Sequence, residues 1–224
     1  MNNDLTVILL TNNELPEEWA KFQYETLLKD INGAELITVS RIPMPWINII
    51  QTEKKCPSNI YWQMLKAAKL STRKYIAIAE DDTLYNEEHF KLRPKEWEFG
   101  YNMTHWSLFT WWEPTYHWRN RQWNYSMIAH RELLIEALEE RFAMWPDGIP
   151  DNRVWELGKH IAERNMRVTL RRWVDMWTTI PIINFHHEFA TDVLQVNQRK
   201  RMGMIRCYDV PHWWKASEIV CKFR

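Results

Sequence analysis

Three consecutive acids, Glu80-Asp81-Asp82, directly follow an apolar segment at residues 75–79. Neighbouring carboxylates repel one another and are poorly suited to a strand. A hard divalent cation removes that repulsion, and Mg²⁺ or Mn²⁺ held by one or two carboxylates completes its coordination with phosphate oxygens and water. The triplet therefore predicts a metal site for a phosphate-bearing substrate. The alternative is a solvated loop that caps a helix.

Alternating strands and helices are expected to position this acidic triplet. Apolar segments at Leu5–Leu10, Leu36–Val39 and Tyr75–Ala79 predict three strands, with helices from Pro16 and from a cap at Ser58. This β-α-β-α-β order predicts a parallel sheet with right-handed crossovers, in which ligands bind beyond the carboxyl ends of the strands. The loops expected to meet at that edge are 11–13, 40–41 and 80–82.

The second half of the sequence is rich in tryptophan, because five of the 15 Trp residues fall between positions 106 and 123. The elements predicted here are strands at 105–112 and 124–129, a helix from Arg131, a turn at 145–150, a helix that Asp151 opens and that carries Gly158, and a strand near 167–170. We expect one domain, 1–224, with a nucleotide-binding half at 1–100, an acceptor half at 101–190 and a C-terminal cover at 191–224.

Composition excludes several classes of protein. The 29 Lys and Arg balance the 29 Asp and Glu, which disfavours a globally basic nucleic-acid binder. The five glycines form no glycine-rich phosphate loop. Three scattered cysteines predict a reducing compartment, without a disulfide framework or a zinc site. No apolar run approaches the ~20 residues that span a bilayer, and the first residues do not form a basic, apolar leader, so we expect a cytoplasmic protein.

From Leu5 to about His187, the acidic triplet and the order of elements resemble a GT-A-type glycosyltransferase, most closely glycosyltransferase family 2 in a small, phage-like version. The triplet stands at the D-x-D position, with Glu as its first acid. Pro150-Asp151 stands where family 2 usually has Glu-Asp, and Ser40-Arg41 where it often has an Asp for the base. The resemblance implies a single α/β, Rossmann-like domain with a mostly parallel central sheet flanked by helices.

The activity implied by the resemblance is the transfer of a sugar from a nucleotide-diphosphate sugar, first of all a UDP-sugar, to a hydroxyl group with inversion. Asp82 and Glu80 would bind Mn²⁺ or Mg²⁺, and His187 or His186 would complete the metal coordination, with His212 as the next candidate. The alternative for each histidine is a hydrogen-bonded structural residue. The residues expected to contact the nucleotide are Thr11, Asn13, Ser40, Arg41, Asn59, Glu80 and Asp81.

Asp151 is, by the same resemblance, the general base. An alcohol has a high pKa, so a carboxylate within hydrogen-bond reach must take its proton as the new bond forms. Asp147 is the alternative base, and a role of Asp151 as a helix cap is equally compatible with the residues alone.

The tryptophan cluster is assigned to the acceptor. Aromatic faces stack on sugars and on nucleic-acid bases, and basic side chains attract phosphates. Small phage transferases of this build are associated with sugars on hydroxymethylated DNA bases, so DNA is one acceptor candidate, and a saccharide or lipid-linked sugar is the alternative. The expected acceptor residues are Trp106, Trp111, Trp112 and Arg119. Core packing is the non-functional alternative for the aromatic side chains.

Two other functions stay open on the sequence alone. A nucleotidyltransferase shares the nucleotide half and the acidic metal site, but it usually has a Gly-rich, basic loop after its first strand, which Thr11-Asn12-Asn13-Glu14 is not. A non-catalytic, Trp-rich protein that binds sugars or nucleic acids would tolerate the replacement of Asp82 and Asp151 by Asn.

Overall fold

The computed structural model describes residues 1–110, 114–117, 120–150, 153, 155–187, 205–210, 212–213 and 215–223. The strands within this part of the chain are β1 (Leu5–Leu10), β2 (Glu35–Ser40), β3 (Ile47–Ile50), β4 (Tyr75–Glu80), β5 (Thr83–Leu84), β6 (Glu98–Asn102), β7 (His105–Phe109), β8 (Thr115–His117), β9 (Met127–His130), β10 (Arg172–Met176), β11 (Ile182–His186) and β12 (Ile205–Arg206). The helices are α1 (Glu17–Asp30), α2 (Pro57–Leu70), α3 (Glu87–Phe90), α4 (Arg131–Met144), α5 (His160–Met166) and α6 (Ala216–Cys221).

A larger sheet, with seven strands among the described residues, has the order β10-β6-β9-β4-β1-β2-β3. The strands from β3 to β4 are parallel to one another. β9 is antiparallel to both β4 and β6, and β10 is parallel to β6. The predicted fold class, an α/β domain with a mostly parallel central sheet flanked by helices, is therefore confirmed.

Both faces of this sheet are covered, which explains why β1 is buried throughout. Successive side chains of a strand point to opposite faces. Ile8 and Leu10 pack in one core with α2 and α4, and Val7 and Leu9 pack in a second core with the end of α1 and with α3. The carboxyl ends of β1, β2 and β4 consequently meet at one edge between these two helical layers.

A smaller sheet, which the sequence did not predict, stands beside that edge. Its order within the described residues is β12-β8-β7-β11-β5. β11 runs parallel to β7 and antiparallel to β5, which directly follows the acidic triplet. Leu108, Ile183 and Phe185 from this sheet pack against Trp19 of α1 and Val220 of α6. No helix among the described residues is long and apolar enough to cross a membrane.

The first half of the chain follows the predicted order of elements, with two differences. β1 has the predicted bounds, and β2 and β4 are slightly longer than predicted. The predicted cap at Ser58 is wrong: α2 begins at Pro57 with Cys56 as its N-cap, and the Ser58 hydroxyl accepts a hydrogen bond from the backbone N–H of Ile149 (2.8 Å). The segment between β2 and α2 contains an edge strand, β3, that was not predicted from the sequence.

The second half departs further from the predicted elements. The helix predicted to carry Gly158 is wrong, because Gly158 has φ +81° and a Cβ there would lie 3.1 Å from the carbonyl oxygen of Arg172. The strand predicted near 167–170 begins instead at Arg172, since Arg167 (φ 58°) ends α5 and Thr169 is bonded to Glu140. The strand predicted at 124–129 starts only at β9, after a 3-10 turn at Asn124–Ser126.

Candidate metal and nucleotide site

The acidic triplet lies where the two sheets meet. Glu80 is the last residue of β4, and Asp81 and Asp82 form the turn that leads into β5. The Asp81 carboxylate is directed to the larger sheet, where its Oδ2 accepts a hydrogen bond from the Thr11 hydroxyl (2.5 Å). The Asp82 carboxylate is directed to the smaller sheet, where its Oδ1 accepts a hydrogen bond from the amide of Asn184 (3.0 Å). The carboxylates of two neighbouring acids therefore bond to partners at different sheets.

Buried aromatic side chains hold the main chain of the triplet. The indole N–H of Trp19, which is fully buried in α1, donates to the carbonyl oxygen of Asp81 (2.8 Å). The hydroxyl of Tyr85 accepts a hydrogen bond from the backbone N–H of Glu80 (3.0 Å) and donates one to the carbonyl oxygen of Tyr125 (3.1 Å). These bonds fix the backbone of the acids before any ligand arrives.

Burial and mutual repulsion raise the pKa values of two of the acids. Burial, followed by the charge of Asp82, raises the pKa of Asp81 to about 7, although the hydrogen bond from Thr11 acts in the opposite direction. Burial and the charges of Asp82 and Asp81 raise the pKa of Glu80 well above its usual range. A nearby positive charge lowers the pKa of a carboxyl group, so this site is electrostatically suited to a cation.

The two adjacent histidines at the end of β11 have different surroundings. His187 is buried with its Nε2 3.4 Å from Oδ2 of Asp82, and its ring stacks on Phe223 with the centroids 5.8 Å apart. His186 stacks instead on Phe109 of β7 (5.1 Å). The structure thus brings His187, and not His186, to the predicted metal ligand Asp82.

The donors at this site fit a divalent cation that also binds substrate. The described residues contain no group of three or more His, Cys, Asp or Glu side chains arranged to hold a metal ion. Asp82 and His187 supply one carboxylate and one imidazole, a pair that suits Mn²⁺, and substrate phosphates would complete the coordination. His212 is exposed and acts electrostatically on Asp30.

The loops after β1 and β2 are joined by side-chain hydrogen bonds next to Asp81. Asn13 has φ 56°, a conformation that Asn tolerates better than most residues. Its Oδ1 accepts hydrogen bonds from the backbone N–H groups of Arg41 (2.8 Å) and Ile42 (3.2 Å), and its own N–H donates to Oγ1 of Thr11 (2.9 Å). The buried hydroxyl of Ser40 is used within its loop, since it donates to the carbonyl oxygen of Ile42 (2.6 Å). Thr11, Asn13 and Arg41 are thus held together beside the triplet.

Asn59 belongs to a chain of amides at the same sheet edge. Its Nδ2 donates to Oε1 of Gln51 (2.9 Å), and Nε2 of Gln51 lies 3.4 Å from Oδ1 of Asn12. Its Oδ1 is buried and has no hydrogen-bond partner among the described residues. That oxygen could accept a hydrogen bond from a ligand N–H group.

Most of the residues predicted for catalysis and for the acceptor lie outside the described residues: Asp151, Trp111, Trp112 and Arg119. Asp147 is exposed in the turn that precedes them. Trp106 is half-buried against the core of the smaller sheet. Trp123, another member of the tryptophan cluster, stacks on Tyr125 (6.0 Å) and lies under the guanidinium of Arg121 (4.4 Å).

Two site residues were missed in the sequence. Asn184 is a buried amide within a strand whose other buried residues include Ile182, Ile183 and Phe185, and such a polar interruption is a usable signal. Trp19 is an apolar residue of α1, and nothing local in the sequence indicates that its N–H bonds to the triplet.

No protein-family model matches the sequence, and no curated protein matches it. Many solved structures resemble the chain, including the following three. A glycosyltransferase involved in the glycosylation of the major capsid of PBCV-1 is 12% identical, with 77% of this chain and 80% of that chain covered and a TM-score of 0.48. A mannosyltransferase from Pyrobaculum calidifontis, solved with GDP-Man and Mn²⁺, is 11% identical (84% and 58% covered, TM-score 0.46). An inositol-1-phosphate CTP transferase from T. maritima is 11% identical (82% and 89% covered, TM-score 0.44).

Proposed function

We propose that the protein is a metal-dependent glycosyltransferase of the GT-A type that moves a sugar from a nucleotide-diphosphate sugar to a hydroxyl group. One observation carries the proposal: just beyond the carboxyl end of β4, Oδ2 of Asp82 faces Nε2 of His187 at 3.4 Å, near the joined loops that follow β1 and β2. A carboxylate and an imidazole at this edge of a parallel sheet suit a cation that binds a diphosphate.

The donor would lie across the carboxyl ends of β1, β2 and β4. Asp82 and His187 would hold Mn²⁺ or Mg²⁺, with Glu80 close by, and the ion when bound supplies positive charge that stabilises the departing nucleotide diphosphate. Glu80 or Asp81 would contact the ribose, or the metal through water. The residues proposed to line the nucleoside side are Thr11, Asn13, Ser40, Arg41 and Asn59. A UDP-sugar is the first donor to test.

Asp151 is proposed as the base that takes the proton of the acceptor hydroxyl. Attack from the side opposite the departing diphosphate would invert the configuration at the sugar. The backbone N–H of Ile149, in the turn that precedes Asp151, donates to the hydroxyl of Ser58 at the start of α2. This hydrogen bond holds the turn beside Asn59, the neighbour of Ser58.

A hydroxymethylated base in DNA is the proposed acceptor, with Trp106, Trp111, Trp112 and Arg119 as its contacts, and a saccharide is the second acceptor to test. Aromatic faces and a guanidinium would serve either one. One experiment distinguishes the two acceptors: transfer of a labelled sugar is compared for hydroxymethylated DNA, unmodified DNA and oligosaccharides.

The donor site is tested by thermal unfolding with UDP, GDP and CMP and their sugar conjugates, each with and without Mn²⁺. A ligand at ~100 times its dissociation constant stabilises the native state by about 2.7 kcal/mol. We expect a Mn²⁺-dependent rise in Tm with one nucleotide, lost in Asp82→Asn and kept in the control Asp175→Asn, whose carboxylate accepts a hydrogen bond from Gln122 at the far edge of the larger sheet. The absence of any nucleotide-dependent shift in the wild type would overturn the proposal.

A further inference from the structure

The two oxygens of the Asp82 carboxylate have different surroundings. Oδ1 accepts two hydrogen bonds, from Nδ2 of Asn184 and from Oγ1 of Thr83, both 3.0 Å long. Oδ2 faces Nε2 of His187 at 3.4 Å. The smaller sheet therefore engages one oxygen with neutral donors and leaves the other beside the imidazole.

The buried amide of Asn184 donates two hydrogen bonds, one to Asp82 and one to Thr83. Only 6% of Asn184 is exposed, and a buried amide without hydrogen bonds is destabilising. Its Nδ2 also lies 3.0 Å from Oγ1 of Thr83, the residue opposite it in the antiparallel pair of β11 and β5. Asn184, Thr83 and Asp82 consequently form a closed set of hydrogen bonds in which each side chain limits the rotation of the others.

The backbone of β11 reinforces the arrangement. The N–H of Phe185 donates to the carbonyl oxygen of Asp82 (2.9 Å). One short strand thus holds the main chain of Asp82 through Phe185, holds its Oδ1 through Asn184 and places His187 against its Oδ2. Asn184 within β11 thus orients one proposed ligand, Asp82, and His187, the residue directly after the strand, is the other proposed ligand.

We propose that Asn184 is a positioning residue: it holds Oδ1 of Asp82, so that Oδ2 is presented to a divalent cation together with His187. This role rests on the proposed function, because it concerns the same cation site. Loss of the amide would let the carboxylate rotate, so the protein would have to order Asp82 when the cation binds. Residues that orient a metal ligand in this way typically change metal affinity by about 10–100-fold when they are replaced.

The test is the dissociation constant of Mn²⁺ alone, measured from the electron paramagnetic resonance signal of the free ion. We expect Asn184→Ala to weaken Mn²⁺ binding by about 10–100-fold. The matched control is Asn102→Ala, because Asn102 is also a buried amide, donates to Thr178 (3.2 Å) and lies in β6, which β9 separates from β4. This control should lose stability comparably and keep its Mn²⁺ affinity within about threefold, since the Asn102 side chain bonds to His89, Thr104 and Thr178 rather than to Asp82 or its partners.

Thr83→Val is a second variant that tests the positioning role if Asn184→Ala does not fold. Valine has nearly the same shape as threonine but cannot donate to Asp82, so Mn²⁺ binding should weaken about tenfold while the fold is retained. Wild-type Mn²⁺ affinity in folded Asn184→Ala or in Thr83→Val, with affinity lost in Asp82→Asn, would overturn the positioning role and leave the proposed function standing. If the wild type binds Mn²⁺ neither alone nor together with UDP, both proposals are wrong.

Discussion

Asp81 and Asp82 are adjacent in the chain, yet they belong to regions built in different ways. The Asp81 region is the edge of the larger sheet, where Thr11 bonds to the carboxylate and neighbouring loops are joined by side chains. The Asp82 region is the smaller sheet, where Asn184 and His187 surround the carboxylate. In the proposed function, the first region binds the nucleotide and the second region holds the cation.

Replacement of the two acids, one at a time, should show the difference between the two regions most strongly. Asp82→Asn should reduce sugar transfer by about 10³-fold, because it removes the charge that would hold the cation on the diphosphate. Asp81→Asn should cost only about tenfold, because Asp81 is bonded to Thr11 and has its pKa raised to about 7. The measurement is kcat/KM with saturating Mn²⁺ for both variants. Equal losses would show that the two acids share one role.

Trp19 joins the two regions, so its removal should damage both. It is fully buried, bonds to the carbonyl oxygen of Asp81 and stacks on Phe223 (4.0 Å), which in turn stacks on His187. Trp19→Ala should lower the free energy of unfolding by about 3–5 kcal/mol through the cavity it leaves. Trp19→Phe keeps most of the packing and loses the hydrogen bond, so it should cost less. Urea unfolding of both variants checks this, and equal costs would contradict the packing explanation.

Thr11→Val should affect the nucleotide side alone. The substitution keeps the shape of the side chain but removes the bond to Asp81 and the acceptor for the N–H of Asn13. Nucleotide affinity should fall about tenfold, equivalent to ~1.4 kcal/mol, while the affinity for Mn²⁺ alone stays within about twofold. Isothermal titration with nucleotide and with Mn²⁺ separates the two. A larger loss of Mn²⁺ than of nucleotide affinity would reverse the assignment of the regions.

His89 provides a pH-dependent check on stability at a buried group outside the acidic triplet. Burial lowers its pKa from 6.5 to about 3, so the unfolded chain binds a proton below pH 6.5 that the folded protein does not. Its contribution to stability is therefore present above pH 6.5 and is lost progressively as the pH falls toward 3, by at most ~1.4 kcal/mol per pH unit. The groups around it are neutral: Asn102, Tyr85 and Phe90.

The raised pKa values of Glu80 and Asp81 act in the opposite direction, because the folded protein then holds protons that the unfolded chain releases. The pH dependence of His89 is therefore measured as a difference between wild type and His89→Gln, by urea unfolding at pH 7.5 and pH 5.0. The wild type should lose up to about 2 kcal/mol more than the variant between these values. An equal loss in both proteins would rule out this role of His89.

The Asp81 region could be predicted from sequence because its signals are local. The strands β1, β2 and β4 are apolar runs, and the triplet directly follows one of them, so the meeting of three loops follows from the sheet order. The amide chain from Asn12 to Asn59 could not be predicted, because Gln51 follows β3, a strand that was not predicted from the sequence.

The surroundings of Asp82 could not be predicted, because the pairing of β5 with β11 joins residues that are far apart in the sequence. β5 has two residues, too few to show a pattern, and its partner Asn184 lies about a hundred residues further along the chain. The pair His186-His187 was predicted from the resemblance as a source of a ligand, but the choice between the two depended on which face of β11 meets β5. The helix predicted to carry Gly158 was wrong for a similar reason, because the backbone of Gly158 lies close to the carbonyl oxygen of Arg172 in β10.

The central claim is that Asp82 and His187 hold one cation, and nitrogen coordination tests it most directly. Electron spin echo envelope modulation of Mn²⁺ bound with UDP reports a ¹⁴N nucleus that coordinates the ion. The account expects ¹⁴N modulation from an imidazole in the wild type, its loss in His187→Gln and its retention in the matched neighbour variant His186→Gln. Modulation that persists in His187→Gln, or that disappears in His186→Gln, would contradict the account.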